Sequence, residues 1–192
     1  MTATAALSEA WLALTGALRL ARGDPGGLAC FDTTERGFWH SFRAGVLCYP
    51  LYLILLAFPI EIDAAPALDP WRVTTVETIH FVISWVAFPL LMLPIVDRFQ
   101  RGERFFAFMV AYNWCQVPQT TLFAVVALAG ATGLLSVDNM LIVDLIAGLA
   151  ALVYEWYVSR VALAVSGGRA ALVIAVDVVL ATVLSHVSAS LY

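Results

Sequence analysis

The sequence predicts an all-α protein, a polytopic membrane helix bundle of five transmembrane helices that follows an interfacial amphipathic helix. Three observations predict this fold class. Charged residues make up only 12% of the 192 residues and hydrophobic residues 62%, whereas a soluble domain carries roughly 25% charged residues. Five apolar stretches each have about the length of a helix that crosses ~30 Å of hydrocarbon. Nearly all the basic residues lie on one side of these stretches.

Residues 1–43 form a predicted cytoplasmic segment, in which residues 5–22 have the periodicity of an amphipathic helix. Four large apolar side chains share one face: Leu7, Trp11, Leu14 and Leu18. A tryptophan on the apolar side is typical of a helix that lies in the headgroup plane. The alternative is a short sixth span, which Glu9 disfavours because a carboxylate in hydrocarbon costs a few kcal/mol. After a breaker at 23–27, residues 32–35 have the spacing of a helix start.

The five predicted spans make up a membrane domain over residues 44–192. They cover residues 44–60, 76–96, 105–131, 140–163 and 170–191. The connections among the last four are short, so consecutive spans are expected to form antiparallel hairpins.

The arginines predict the orientation. Nine of the ten fall on one side of the spans: Arg19, Arg22, Arg36, Arg43, Arg98, Arg101, Arg104, Arg160 and Arg169. The other side holds Arg72 and an acidic loop at 61–75. An excess of arginine marks the cytoplasmic side, so the N-terminus is predicted inside and the C-terminus outside. The lack of lysine beside abundant alanine, valine, leucine and glycine is typical of a GC-rich genome and indicates a bacterial inner membrane with a periplasmic C-terminus.

Polar side chains within the spans form two predicted layers. An inner cluster comprises Asn113, Gln116, Glu155, Arg160 and Asp177. An outer layer comprises His80, Gln119, Asp144 and His186. Ionisable groups at such depth are costly and usually face the bundle interior or water. We expect Glu155 and Asp177 to lie close together, with at least one of them protonated or paired to Arg160.

Each of these groups has a functional and a structural interpretation. The inner cluster is either a proton or cation site or a clamp whose interhelical hydrogen bonds contribute roughly 1 kcal/mol each. His80, with Glu77 one turn back, is either a pH-sensitive pair or an ordinary interfacial histidine. The aromatic segments at 112–114 and 154–157 either bind an isoprenoid or quinone tail or pack helices together. The lipid-facing basic cluster is first a topology determinant and can also bind anionic lipid: Arg98, Arg101 and Arg104.

Several classes of site lack a signature in the sequence. No motif of a known catalytic type is present, so no catalytic residue is predicted. The Ser185-His186 dyad has no obvious orienting acid. Three histidines and three cysteines at scattered positions predict no metal site, and no cofactor is expected. The lack of an extended basic patch argues against nucleic-acid binding. The expected partners are the lipid bilayer and either a second copy of the chain or another protein, bound through the N-terminal segment.

The span count and tight loops over residues 35–192 resemble those of the Yip-type family of five-span membrane proteins. The segments 37–52 and 111–114 look like small bacterial inner-membrane proteins of unassigned role. The Yip-type resemblance implies a non-enzymatic factor, since eukaryotic members of that family act as adaptors in membrane traffic. The leading hypothesis is therefore a non-enzymatic adaptor or assembly factor. The alternative is a small-solute or proton-coupled transporter that uses the intramembrane carboxylates.

Overall fold

The structure is a computed structural model that describes residues 3–58 and 69–191. Every regular element in those ranges is helical. The α-helices are α1 (Ala3–Ala21), α2 (Glu35–Ser41), α3 (Arg43–Ala57), α4 (Pro70–Arg98), α5 (Phe105–Ala131), α6 (Val137–Leu163) and α7 (Gly167–Ala189), with 3-10 turns at Pro25–Cys30 and Gly102–Arg104. Residues 59–60 of the first predicted span and most of the loop at 61–75 lie outside the described residues.

Four helical stretches in the described part of the chain are long and apolar enough to cross a membrane. They are Glu35–Ala57, Pro70–Arg98, Asn139–Leu163 and Gly167–Ala189. The protein is thus a membrane-embedded helix bundle, as predicted. Helix α5 has the same length as α6, 27 residues, but three amide side chains and two threonines make its middle less apolar. Neighbouring helices cover most of α5, so little of its surface would have to be apolar to face lipid. A fifth span through α5 stays a prediction.

The first of these stretches begins at Glu35, before the predicted start at residue 44. Helix α2 starts where the Thr34 hydroxyl accepts a hydrogen bond from the Gly37 amide, 3.1 Å away. Asp32, the expected cap, instead accepts hydrogen bonds from Thr34, which lower the pKa of the Asp32 carboxyl. His40 of this helix bonds within the protein, to Glu9 of α1.

Five helices surround an internal cavity in the order α3, α5, α6, α7, α4. Neighbours in this order pack side by side, except that α3 and α4 meet chiefly through aromatic rings. At that seam the Phe81 ring lies 5.4 Å from the Tyr49 ring and 5.1 Å from the Tyr52 ring, between centroids. We expected α4 and α5 to pack against each other as a hairpin. That prediction is wrong, because α4 packs mainly on α7. Stacked Phe88 and Tyr112 rings fill the space between α4 and α5.

Helix α1 lies against α5 and the first 3-10 turn. Small residues form the buried face of α1: Ala13, Gly16 and Ala17, with Leu20. A Cβ atom on Gly16 would lie 2.7 Å from the Gly27 carbonyl oxygen, so the two backbones are in contact. Much of the predicted apolar face remains uncovered, with Leu7 71% and Trp11 75% exposed. Residues Ala3–Ala21 are thus helical, while an amphipathic helix in the headgroup plane stays a prediction.

Candidate functional site

The centre of the bundle holds two carboxyl groups that face each other. Glu155 of α6 is only 8% exposed, and its carboxyl group is close enough to that of Asp177 of α7 for the two to interact. The sequence predicted this proximity. Eight residues separate Glu155 from the end of α6 and ten separate Asp177 from the start of α7, so antiparallel packing of α6 and α7 brings the two acids to a similar depth.

Helix α5 supplies the neutral polar partners of this pair. The Tyr112 hydroxyl donates a hydrogen bond to Asp177 Oδ1 over 2.8 Å. Gln116 and Gln119 lie beside Glu155. These three residues follow an i, i+4, i+7 spacing, which places them along one side of a helix. We call Tyr112, Gln116, Gln119, Glu155 and Asp177 the carboxyl cluster. The sequence had assigned Gln119 to the outer layer and had noted Tyr112 only as an aromatic residue.

Two members of the predicted inner cluster have other contacts. Asn113 donates a hydrogen bond from Nδ2 to Ser41 Oγ over 2.8 Å, which ties α5 to α2. The exposed Arg160 guanidinium lies 5.3 Å from the centre of the Trp156 ring. Among the described residues, the ion pairs include neither Glu155 nor Asp177. The carboxyl cluster therefore has no cationic partner in the part of the chain that the structure describes.

Two open spaces meet at the carboxyl cluster. The first, the aromatic cavity, has a volume of about 260 Å³ and is lined by residues from α3 to α7. The second, the side crevice, has a volume of about 530 Å³ and lies between α5, α6 and α7. Both spaces are bounded by Gln116, Thr120, Glu155, Asp177 and Ala181. The acids are thus reachable from two sides of the bundle.

The predicted outer layer is only partly assembled. His80 Nδ1 lies 3.1 Å from Glu77 Oε2 and 3.5 Å from Ser188 Oγ. The Tyr52 hydroxyl, which also lines the aromatic cavity, donates a hydrogen bond to Glu77. Asp144 instead lines the side crevice. The side chain of His186 is exposed, on the surface of α7.

The N-terminal helix is fixed to the bundle by polar contacts. Glu9 lies 3.0 Å from His40 Nδ1 and 3.3 Å from Arg43 Nη1. The Tyr154 hydroxyl donates to the Ala17 carbonyl oxygen over 2.7 Å, and the Tyr157 hydroxyl donates to the Gly23 carbonyl oxygen over 2.6 Å. The aromatic segment at 154–157 thus serves helix packing, the structural one of its two interpretations.

No protein-family model, curated protein or solved structure matches this chain.

The basic residues of the α4–α5 connection make mixed contacts. The Arg101 guanidinium lies 3.9 Å from Glu103, and Arg104 donates to the Ala162 carbonyl oxygen over 3.4 Å. Arg98 is exposed at the end of α4. At the opposite end of the bundle, Arg72 donates to the Leu191 carbonyl oxygen over 2.8 Å. Arg72 therefore lies at one end of the bundle and the other span-flanking arginines lie at the opposite end, as predicted. Which end faces the cytoplasm stays a prediction.

The arrangement at the centre suits proton exchange or cation binding. Within the described residues, no group of three or more histidine, cysteine or acidic side chains is placed to hold a metal ion. Two buried carboxyls that face each other repel when both are charged, and a proton or another cation relieves that repulsion. Tyr112 and the two glutamines can donate hydrogen bonds to whichever oxygens carry the charge.

Proposed function

We propose that this protein is a small-solute carrier in which Glu155 and Asp177 bind solute and exchange it for a proton. One observation carries the proposal: the carboxyl cluster lies where the aromatic cavity and the side crevice meet. A clamp that only ties helices together gains most when its polar groups are fully covered by each other. Open volume on two sides of the pair favours a site that a solute can enter.

The proposed exchange is of one positive charge for another, so the net charge at the pair is the same before and after it. In the empty state one proton on the pair leaves a net charge of about −1 in a site of low dielectric constant. A solute that brings positive charge displaces the proton, and the proton leaves to water through whichever space is open. Tyr112 stays bonded to Asp177 through its hydroxyl, so it acts as a positioning residue for that carboxyl.

The membrane placement is part of the proposal. Helix α5 is also a span, which brings the number of spans to five. The end that carries Arg98, Arg101, Arg104, Arg160 and Arg169 faces the cytoplasm of a bacterium. The N-terminus is then cytoplasmic and the C-terminus periplasmic in the inner membrane. Helix α1 lies at the cytoplasmic interface with Leu7 and Trp11 towards lipid. Five spans leave little room for two gates, so the carrier works as a homodimer.

Proton exchange in proteoliposomes tests the proposal. The purified protein is reconstituted with a trapped pH dye and exposed to panels of amines, amino acids and sugars under a proton gradient. We expect at least one solute to release protons, and Glu155→Gln and Asp177→Asn to reduce this release to the level of protein-free vesicles. Glu103→Gln, which changes an acid on the 3-10 turn between α4 and α5, should exchange as the native protein does.

Two outcomes would contradict the carrier. One is the absence of exchange with every solute class, in native protein whose cooperative thermal unfolding shows that it is folded. The other is full exchange by both carboxyl variants, since the pair would then be only a structural clamp.

The second candidate is an adaptor or assembly factor, as the resemblance to Yip-type proteins implies. The observation that favours it is the uncovered apolar face of α1, where Leu7 and Trp11 are exposed. An adaptor should retain a stoichiometric protein partner after gentle-detergent purification, and Leu7→Ser with Trp11→Ser should release it. These two positions are chosen because deletion of α1 would also remove buried contacts. Mass spectrometry of the co-purified proteins tests this expectation. Purification of the protein without a partner, or a partner that the double variant retains, counts against the adaptor.

A further inference from the structure

The aromatic cavity has an unusual wall for a space that contains two acids. Five aromatic side chains line it: Tyr52, Phe81, Trp85, Phe88 and Tyr112. The rings of Phe88 and Tyr112 stack with centroids 4.2 Å apart and planes 22° apart. The Phe81 and Trp85 rings lie 5.9 Å apart along α4. The cavity thus combines aromatic surfaces on α3, α4 and α5 with carboxyls on α6 and α7.

We propose that the solute is a small organic cation, a substituted ammonium ion whose charge lies at Glu155 and Asp177 and whose apolar groups contact the aromatic wall. The proposal rests on the function proposed above and names its substrate class. Aromatic faces attract cations through their quadrupole, most strongly where water is excluded. They offer no strong hydrogen-bond acceptor over those faces, so they suit alkylated ammonium better than a hydrated metal ion. A neutral polar solute would leave the two acids without a positive partner.

An idle hydrogen-bond donor supports the same assignment. Gln119 is 6% exposed, and its Nε2 is buried with no hydrogen-bond partner of good geometry. Gln119 lies beside Glu155, and it lines the side crevice rather than the aromatic cavity. A donor behind the carboxyl is useful when that carboxyl is charged, because the charged form accepts the stronger hydrogen bond. Arrival of a cation on the cavity side is the event that would leave Glu155 charged.

The dimensions of the cavity limit the solute. Its volume of about 260 Å³ lies just below the range of ~300–1,000 Å³ that is usual for drug-sized ligands. Among the described residues, Cys48, Ser84 and Thr120 are further lining side chains, and all are small. The cation is therefore of the size of a single aromatic or alkyl group joined to one ammonium centre.

Equilibrium binding of radiolabelled benzyltrimethylammonium to the protein in nanodiscs tests the assignment. Neopentylbenzene is the matched neutral probe, since a carbon replaces the ammonium nitrogen and the shape is kept. We expect the labelled cation to bind, unlabelled cation to displace it and neopentylbenzene not to displace it. Asp177→Asn and Glu155→Gln should each weaken binding by about tenfold or more, and Trp85→Leu by about fivefold or more. Glu103→Gln should bind as native.

The outcomes separate the assignment from the carrier function. If only uncharged solutes drive proton exchange and the labelled cation does not bind, the assignment is wrong and the carrier function stands. If the cation binds but no solute drives exchange, the assignment stands and the carrier function fails. Equal displacement by neopentylbenzene, or undiminished binding to both folded carboxyl variants, overturns the assignment.

Discussion

In lipid at neutral pH, the infrared spectrum of the native protein should contain the carbonyl band of a protonated carboxyl group, and the double variant Glu155→Gln, Asp177→Asn should lack it. Two like charges ~4 Å apart repel by about 4 kcal/mol at an effective dielectric constant of ~20. The carboxyls of the buried Glu155 and the half-buried Asp177 are close enough to interact, so the pair is expected to retain a proton. The measurement compares spectra in light and heavy water, because exchange of the carboxyl proton for deuterium shifts this band.

The single variants show whether the pair acts as one unit. A proton shared by the two carboxyls means that either single substitution should change the band, and that the two changes should not add to that of the double variant. Glu103→Gln should leave the band intact, since that acid is exposed. A native spectrum in which both groups are independent ionised carboxylates would refute the shared proton.

Phe108→Ala should cause one of the largest losses of stability in the bundle. Phe108 is fully buried on α5, with its ring 6.3 Å from that of Phe88 and 5.9 Å from that of Tyr112, between centroids. Truncation of a buried phenylalanine costs ~3–5 kcal/mol because it removes apolar contacts and leaves a void. The free energy of unfolding in mild detergent, from reversible chemical denaturation, measures the effect.

Phe106→Ala is the matched control for this change. It removes the same atoms from the same helix, but Phe106 is 36% exposed. The loss of stability in Phe106→Ala should therefore be clearly smaller, since much of the Phe106 side chain does not become buried against the protein on folding. Equal losses in the two variants would show that α5 is not packed as the structure describes.

The sequence predicted the helices well because length and apolar composition are local properties. It predicted packing less well, because packing depends on side chains that meet from distant parts of the chain. The close approach of α1 relies on Gly16, which hydropathy ignores, while the large residues Leu7 and Trp11 dominate the periodicity. The position of α4 beside α7 was likewise missed, because a short loop limits distance without determining which faces touch.

The site was predictable in part for the same reason. Depth along a helix can be counted from the sequence, so Glu155 and Asp177 were expected to meet. Rotation about the helix axis and side-chain reach cannot be counted as readily. Arg160 was therefore placed near the acids although it lies over Trp156, and Tyr112 was overlooked as a hydrogen-bond donor. A tyrosine four residues before Gln116 was the available signal, since i and i+4 share a helix face.

The position of α4 in the ring has a consequence for how the protein is made. Residue 98 ends α4 and residue 167 begins α7, so ribosomes synthesise about seventy residues before the main neighbour of α4 exists. Until then α4 has only its aromatic contacts with α3 and α5, and the wall of the aromatic cavity that α7 forms is missing. The aromatic cavity is thus completed only after α7 has been made. Any chain cut short before α7 would present α4 without its main neighbour to the quality-control proteases of the membrane.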